Sequence, residues 1–423
     1  MEEIKQGYKQ TDIGVIPEDW EVGKLEELIT VLTDFTANGS FASLAENVTY
    51  LETPSYARLV RLTDIRANFK NAGVYLSKDS YDFLKKSKLF GDELLLANVG
   101  AYAGYSFLYP SGLDFTGTLG PNMFLIKFDD KALNYRYVYY CFTNGIIFHQ
   151  LLSKAASSAQ PKLNKQNVRE CDIIYPANLT EQTAIATALS DTDALIAALD
   201  KKIAKKQQIK QGAMQQLLTG KKRLPGFSGE WVEKELKKIS SMNSGGTPNS
   251  NNPNYYNGDI PFLSISDISK SGKYIKTTDK HITKLGLENS SARLFPAKTI
   301  MYAMYASVGK CSIANIEISC SQAILGITVN EYTNSEFLYY YLSFIQSDIL
   351  SFTQTGTQSN LSKRIVEKFV VNIPNNKAEQ TAIAQILTDM DNEIAQLEKE
   401  RDKYKEIKAG MMQVLLTGRV RVV

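Results

Sequence analysis

Two stretches of the chain carry apolar residues at alternating steps of four and three. In Glu181–Gly220 these are Ile185, Leu189, Ile196, Leu199, Ile203 and Leu217, with Thr192 and Lys206 in register. In Glu379–Gly418 they are Ile383, Leu387, Met390, Ile394, Leu397, Tyr404, Met411 and Leu415, with Arg401 and Lys408 as polar interruptions. That period predicts a helix with one apolar seam, the heptad pattern of a coiled coil. Asn178 and Asn376 precede the two stretches, each with a glutamate three positions later, as in a capping box. Pro176 and Pro374 keep the chain extended just upstream. Both stretches end in Leu-Leu-Thr-Gly, so Gly220 and Gly418 are placed to close the helices in a left-handed conformation. Each predicted helix is about 40 residues, or about 60 Å at 1.5 Å per residue, longer than is usual in globular domains. The seam must be covered. Antiparallel pairing of the two helices within one chain is the simplest solution, and pairing between two chains satisfies the same pattern. Gly212 and Gly410 recur at the same place inside both helices, where glycine costs about 1 kcal/mol against alanine. Their repetition predicts a close helix approach or a bend.

The two stretches align without a gap, and about 23 of some 40 positions are identical, beginning with Glu-Gln-Thr-Ala-Ile-Ala in both. A gapless repeat of that length means that one structural unit was duplicated. The segments before Glu181 and across Pro225–Asn376 occupy equivalent places but match only in patches. Arg58–Ile65 answers Ile260–Ile268, each alternating apolar and polar residues as a half-buried strand does. Gly91–Leu96 with Gly100 and Gly104 answers Ala297–Tyr305 with Gly309, and both predict strand, glycine turn, strand. Tyr137–Phe142 and Phe337–Leu342 are aromatic helical stretches. Polar loops follow, around Gln160 and Lys162 in one half and around Gln358, Asn360 and Lys363 in the other. Trp20 and Trp231 hold matching positions before short amphipathic helices and are expected to anchor the two cores. The expected division is residues 1–177, a first domain; 178–220, a helix; 221–375, a second domain entered through Pro225 and Gly226; and 376–423, a second helix with its tail.

Length and composition agree with this plan. The chain has 423 residues, enough for two cores of common domain size. Formal net charge is +3, which permits nucleic-acid binding without arguing for it. No apolar run reaches membrane-spanning length, and the N-terminus lacks an apolar signal core, so a cytoplasmic protein is expected. Cys141, Cys171, Cys311 and Cys320 show no metal-ligand spacing and read as free buried thiols. No phosphate-binding or dinucleotide-binding glycine motif is present; Val308-Gly309-Lys310-Cys311 lacks both the first glycine and the hydroxyl of a P-loop. His149 and His281 stand alone, in apolar and polar strands respectively. The chain reads as a recognition and assembly protein with no catalytic residues, bound cofactor or metal of its own.

The ordered set of these features resembles the specificity subunit of type I restriction–modification enzymes. The features are two variable domains alternating with two repeated helices, Leu-Leu-Thr-Gly at each helix end, Lys-Lys-Arg-Leu-Pro-Gly-Phe-Ser-Gly-Glu-Trp opening the second half, and Glu-Gln-Thr-Ala-Ile-Ala at each helix start. Gly7–Trp20 resembles the family's N-terminal segment, which completes a circular pseudo-repeat. The resemblance implies an α+β chain: two mixed target-recognition domains separated by two long antiparallel coiled-coil helices with a pseudo-two-fold repeat. It implies that each domain reads one half of a split, asymmetric site in double-stranded DNA. The helices would hold the halves at fixed spacing and dock two adenine methyltransferase subunits carrying S-adenosylmethionine. Restriction and motor subunits using ATP and Mg would complete the enzyme. A recognition subunit for a fused methyltransferase–nuclease, and a non-DNA adaptor with duplicated binding domains, are the alternatives.

Base edges and phosphates are read by cationic, amide and hydroxyl side chains. The expected contacts in the first domain are therefore Arg61, Asp64, Arg66, Asn98, Tyr102, Tyr105, Gln160 and Lys162. In the second they are Ser266, Asp267, Lys270, Tyr305, Lys310, Gln358, Asn360 and Lys363.

Overall fold

The computed structural model describes residues 6–155, 161–349 and 361–422. The chain divides into two compact units, residues 1–198 with 400–423 and residues 199–399. The division falls inside both long helices, Leu179–Leu217 and Lys377–Leu415.

In the first unit an antiparallel sheet runs Ser106–Leu108, Leu94–Ala97, Met123–Phe128, Ile29–Asp34. Its strand Leu94–Ala97 is buried on both faces. Successive side chains of a strand point to opposite faces, and here each face has its own core. Leu94 and Leu96 join Trp20, Tyr137, Phe142 and the start of the first long helix. Leu95 joins Val60, Tyr109 and Leu119 on the other side. A second sheet supplies Val60 and Leu119, in the order Tyr50–Leu51, Val74–Leu76, Ala57–Val60, Thr116–Leu119, Lys88–Leu89. Its central pair, Ala57–Val60 with Thr116–Leu119, is parallel. A ribbon of Trp20–Lys24 and Asp172–Pro176 leads into the long helix.

The second unit has the same plan. Its first sheet runs Cys311–Ala314, Ile300–Ala303, Ile324–Val329, Ser240–Ser244, and the added strand Tyr274–Ile275 extends it beyond Cys311–Ala314. Ile300 and Tyr302 again face the helical core, while Met301 and Ala303 face the second sheet. That sheet runs Lys280–Ile282, Tyr256–Leu263, Ile318–Cys320, Leu294–Phe295, with the same parallel central pair. The matching ribbon is Trp231–Glu235 with Val370–Pro374. Two segments with only patchy sequence likeness therefore share a core topology, with Tyr50–Leu51 added in the first and Tyr274–Ile275 in the second. The Asp-Ile fragments differ from expectation: the strands end at Val60 and Leu263, and Leu62–Arg66 and Ile265–Ser271 are short helices.

The long helices pair antiparallel within the chain. In the first unit Lys408 Nζ reaches Asp193 at 2.6 Å, and Arg421 reaches Glu181. In the second unit Lys206 reaches Glu393 at 2.6 Å, and Arg223 reaches Glu379. The seam itself is shorter than its heptads. Ile185, Leu189 and Leu415 belong to the first unit's core, and Leu217, Ile383 and Leu387 to the second's. Met411 and Met390 pack against those cores. Leu199, Ile203, Ile394 and Leu397 are buried outside both cores, and Ile196 is half-buried. The heptad positions thus divide between two domain cores and a buried stretch that belongs to neither.

Three sequence expectations are corrected here. Glu181 and Glu379 do not close capping boxes. Asn178 and Asn376 cap the second helical amides, Thr180 N at 2.8 Å and Ala378 N at 2.9 Å, and the glutamates bind arginines instead. Gly212 and Gly410 make no close approach, since a Cβ at either would meet nothing within 4 Å. His149 lies in helix Ile146–Ala155 rather than in a strand.

Gly220 and Gly418 do terminate their helices at φ +70°, and each has a tryptophan against it, Trp231 or Trp20, within 3.3 Å of where a Cβ would sit. All four cysteines are free and buried. Among the described residues no helix is long and apolar enough to cross a membrane.

The glycines give a paired prediction. Gly212→Ala and Gly410→Ala each fill open space in a helix and should stabilise the chain by about 1 kcal/mol. Gly418→Ala places a methyl 2.5 Å from Pro17 Cδ at a left-handed φ and should destabilise by about 1–3 kcal/mol. Urea-unfolding midpoints of the three variants check both signs.

Candidate nucleic-acid interface

The repeated hexapeptide ties each domain to the helices, and each of its polar residues has an identified partner. Gln182 is fully buried; its Oε1 accepts from Asn134 N at 2.7 Å, and its Nε2 donates to Ala132 O and Pro176 O. Gln380 does the same with Asn334 N at 2.8 Å, Tyr332 O and Pro374 O. Thr183 and Thr381 each accept from the asparagine side chain at 3.1 Å. Farther along, Asp193 accepts from Tyr140 OH at 2.9 Å and from Lys408, whose ammonium lies 5.3 Å from the Tyr140 ring centroid. Asp391 accepts from Tyr340 OH at 2.6 Å and from Lys210. A buried glutamine with its hydrogen bonds made specifies one orientation, because any other leaves polar groups orphaned. Each domain is therefore rigidly seated.

On that footing, three segments far apart in sequence meet in each domain. In the first, the glycine turn 98–105 bonds to the polar segment through Gly100 N to Pro161 O at 2.9 Å and Leu163 N to Asn98 O at 2.8 Å. The helix Leu62–Arg66 reaches the same turn, with the Arg66 guanidinium 4.2 Å from the Tyr102 ring centroid. Tyr102, Tyr105 and Phe148 continue edge to face at 5.7 and 5.4 Å. Asn98 and Lys162 line an open cleft of about 520 Å³ together with Phe41, which is 83% exposed. The Asn98 side-chain oxygen has no partner among the described residues. In the second domain, Leu361 N bonds to Met304 O at 3.0 Å, and Ser269 of the helix Ile265–Ser271 lies 3.5 Å from Ser307 of the turn. Tyr305 and Lys310 are exposed there.

The expected contacts separate by what already occupies them. Asp64 and Asp267 are corrected to structural roles. Asp64 is fully buried and accepts from Arg61 N, Arg61 Nε, Arg58 and Asn71, each at 2.9 Å. Asp267 is buried and accepts from Ser264 N at 2.8 Å and from Asp279 N at 3.2 Å. Burial raises the Asp64 carboxyl, but the Arg61 and Arg58 guanidiniums, the Arg61 amide and Asn71 outweigh it and bring it down to about 2. Arg61 is committed to Asp64 and Ala72 O, Lys270 to Asp279, and Lys363 to Glu367. Arg66, Lys162 and Lys310 are exposed and have no acidic partner among the described residues. Ser266 is exposed and its hydroxyl pairs with Ser264. Gln160, Gln358 and Asn360 lie outside the described residues.

Sequence reasoning missed Arg58. It sits in a strand, is 5% exposed, and donates to Asp64, Phe69 O and Asn71 O, so it holds the whole loop 61–73. An arginine inside an apolar strand sequence was the available signal, since such a charge is buried only with partners.

Two domains on one scaffold, each gathering a turn, a short helix and a polar segment onto one face, define a paired recognition chain. The model of the type I restriction modification DNA specificity domain matches residues 17–211 and again residues 228–409. The chain belongs to that family: it is a type I restriction–modification specificity subunit, a recognition rather than a catalytic chain, with two target-recognition domains. It is 26% identical over 436 aligned residues to the putative type I restriction enzyme MjaX specificity subunit of Methanocaldococcus jannaschii, covering 99% of this chain and 97% of that one. Its fold is shared with the type I restriction-modification S subunit of M. genitalium, at TM-score 0.60 and 16% identity over 96% of this chain and 97% of that one. It is also shared with a chain from a study of complex assembly and conformational transition of the type I R-M system, at TM-score 0.57 and 15% identity over 96% and 99%.

The buried Asp64 cluster gives a pH test. Its folded pKa is depressed, so the stability it supplies is present above the unfolded value near 4 and is lost as pH falls toward 2. Asp64→Asn leaves Arg58 without its counter-charge and should cost about 3–5 kcal/mol at pH 7. The gap between variant and parent should narrow as pH falls from 4 to 2, read by unfolding midpoints across that range.

Proposed function

We propose that the two domains each read one half of an asymmetric, split site in double-stranded DNA, through the faces that carry Arg66, Tyr102, Tyr105 and Lys162 in one and Ser266, Tyr305 and Lys310 in the other. The carrying observation is the convergence of three separate segments on a rigid seat in both domains, with uncommitted cations at Arg66, Lys162 and Lys310. Arginine suits bidentate pairing with guanine, and a guanidinium already stacked on a ring loses little freedom on binding. Dissimilar side chains on a common topology support two different half-sites.

The repeated helices hold two adenine methyltransferase subunits, which carry S-adenosylmethionine. Motor subunits using ATP and Mg complete the enzyme in the cytoplasm. The duplication of the helices, against the divergence of the domains, supports a partner met twice. Each helix has 39 residues, about 58 Å at 1.5 Å per residue, a length that supports a spacer role for half-sites about one DNA turn apart, roughly 34–36 Å.

Exchange of residues 225–374 for those of a relative tests the reading. Expressed with its methyltransferase partner, the hybrid should methylate a site with one half altered and the other kept, as read from the map of methylated adenines. Change in both halves would contradict independent reading.

A further inference from the structure

In the second unit the chain leaves the helix Ile265–Ser271 through Gly272, whose carbonyl accepts from Ser312 Oγ at 2.6 Å, and reaches the strand Tyr274–Ile275 through Lys273. The Lys273 carbonyl accepts from Ile313 N at 2.8 Å. Its side chain turns inward and is only 9% exposed. The ammonium donates to Thr388 Oγ1 of the second long helix at 2.6 Å and lies 3.4 Å from Glu336 on the helix Ser335–Phe344. It also sits 4.7 Å from the Tyr340 ring centroid and 4.9 Å from that of Tyr274. Tyr274 OH donates to Glu336, and Tyr340 OH to Asp391. Burial pushes the Lys273 amine down, and Glu336 opposes it.

A buried ammonium is costly unless paired and hydrogen-bonded, so its place is set from every side. Apolar packing would fill the same space without that demand. Among its described residues the first unit has no counterpart. Its sheet lacks a strand equivalent to Tyr274–Ile275, and its loop after Leu62–Arg66 is held by Arg58. The lysine is two residues from the end of the helix that carries Ser266 and Lys270. That helix cannot shift by much while the ammonium keeps Thr388 and Glu336.

We propose that Lys273 is a positioning residue for DNA readout by the second domain, pinning the end of helix Ile265–Ser271 to the second long helix at Thr388. The inference rests on the DNA-reading role proposed above. Through this pin the exposed face of the helix is presented to DNA at a fixed distance from the long helix, and readout in this half depends on a contact that the first half does without.

The test uses the full chain assembled with its methyltransferase subunits and a pool of randomised duplex DNA. The parent, Lys273→Met and Thr388→Val are each used to select bound sequences, after the domain exchange has shown which half belongs to the second domain. Met keeps the volume of the lysine without its charge, and Val keeps the shape of the threonine without its hydroxyl. Both variants should lose discrimination by about tenfold at one or more base pairs of the second half, with the first half and the yield of complex kept. An unchanged second half in both variants overturns the inference. Equal loss in both halves also overturns it, since that is the signature of a merely stabilising group. If Lys273→Met does not accumulate as folded chain, Thr388→Val decides by the same criterion. A parent complex that selects no sequence overturns the DNA-reading role itself, and is seen before any substitution is made.

Discussion

The constraint shared by both units is a glutamate in the first turn of one long helix that grips an arginine following the end of the other. Arg223 holds Glu379 at 2.6 and 2.8 Å, and the Glu379 side chain is 2% exposed. Arg421 holds Glu181 at 2.7 Å and Asp19 at 2.7 and 2.8 Å. Bidentate arginine–carboxylate pairs fix orientation as well as distance. The grip lies beside the tryptophan and the closing glycine in both units. It joins three things: the start of one helix, the end of the other and the ribbon that enters the domain. The tail after the second helix therefore does for the first unit what the linker after the first helix does for the second. The pseudo-repeat is circular in a physical sense, closed covalently in one unit and by an ion pair in the other.

That constraint explains why the helices resemble each other and the domains do not. Each polar residue of Glu-Gln-Thr, and the later aspartate, has a specified partner in its own unit, and substitution of the buried glutamate or glutamine orphans a buried group. The recognition faces carry no such demand beyond their buried supports. Those supports differ. One domain uses Arg58 under its loop, and the other uses Lys273 behind its helix. Different polar hubs under one topology allow the presented side chains to differ while the scaffold stays fixed.

Much of this was legible in the sequence. The repeat, the helix limits, the strand–turn–strand units and the aromatic helices follow from period and punctuation, which are local. The pairing of the helices followed from matching seams. What was not legible depends on contacts across the chain. The glutamates satisfy the pattern of a capping box, and nothing in the pattern tells of an arginine some 156 residues away for Glu379 and 240 for Glu181. The heptads of Ile185, Leu189, Ile383 and Leu387 are real, but heptad spacing does not say whether the neighbour is a helix or a domain core. Asp64 and Asp267 read as DNA contacts at the ends of half-buried strands, because the burial of a single polar side chain is invisible in the sequence. Arg66, Tyr102 and Tyr105 were all expected at one surface, while their mutual stacking needs the fold.

A double-mutant cycle on Arg223 and Glu379 tests the central claim most directly. Arg223→Met, Glu379→Gln and the double variant are compared with the parent by urea unfolding of the full chain. A coupling of about 1–3 kcal/mol is predicted, with the double variant more stable than the sum of the single losses implies. Additive losses, with coupling near zero, would contradict the claim that this pair holds the helix start, the helix end and the domain together.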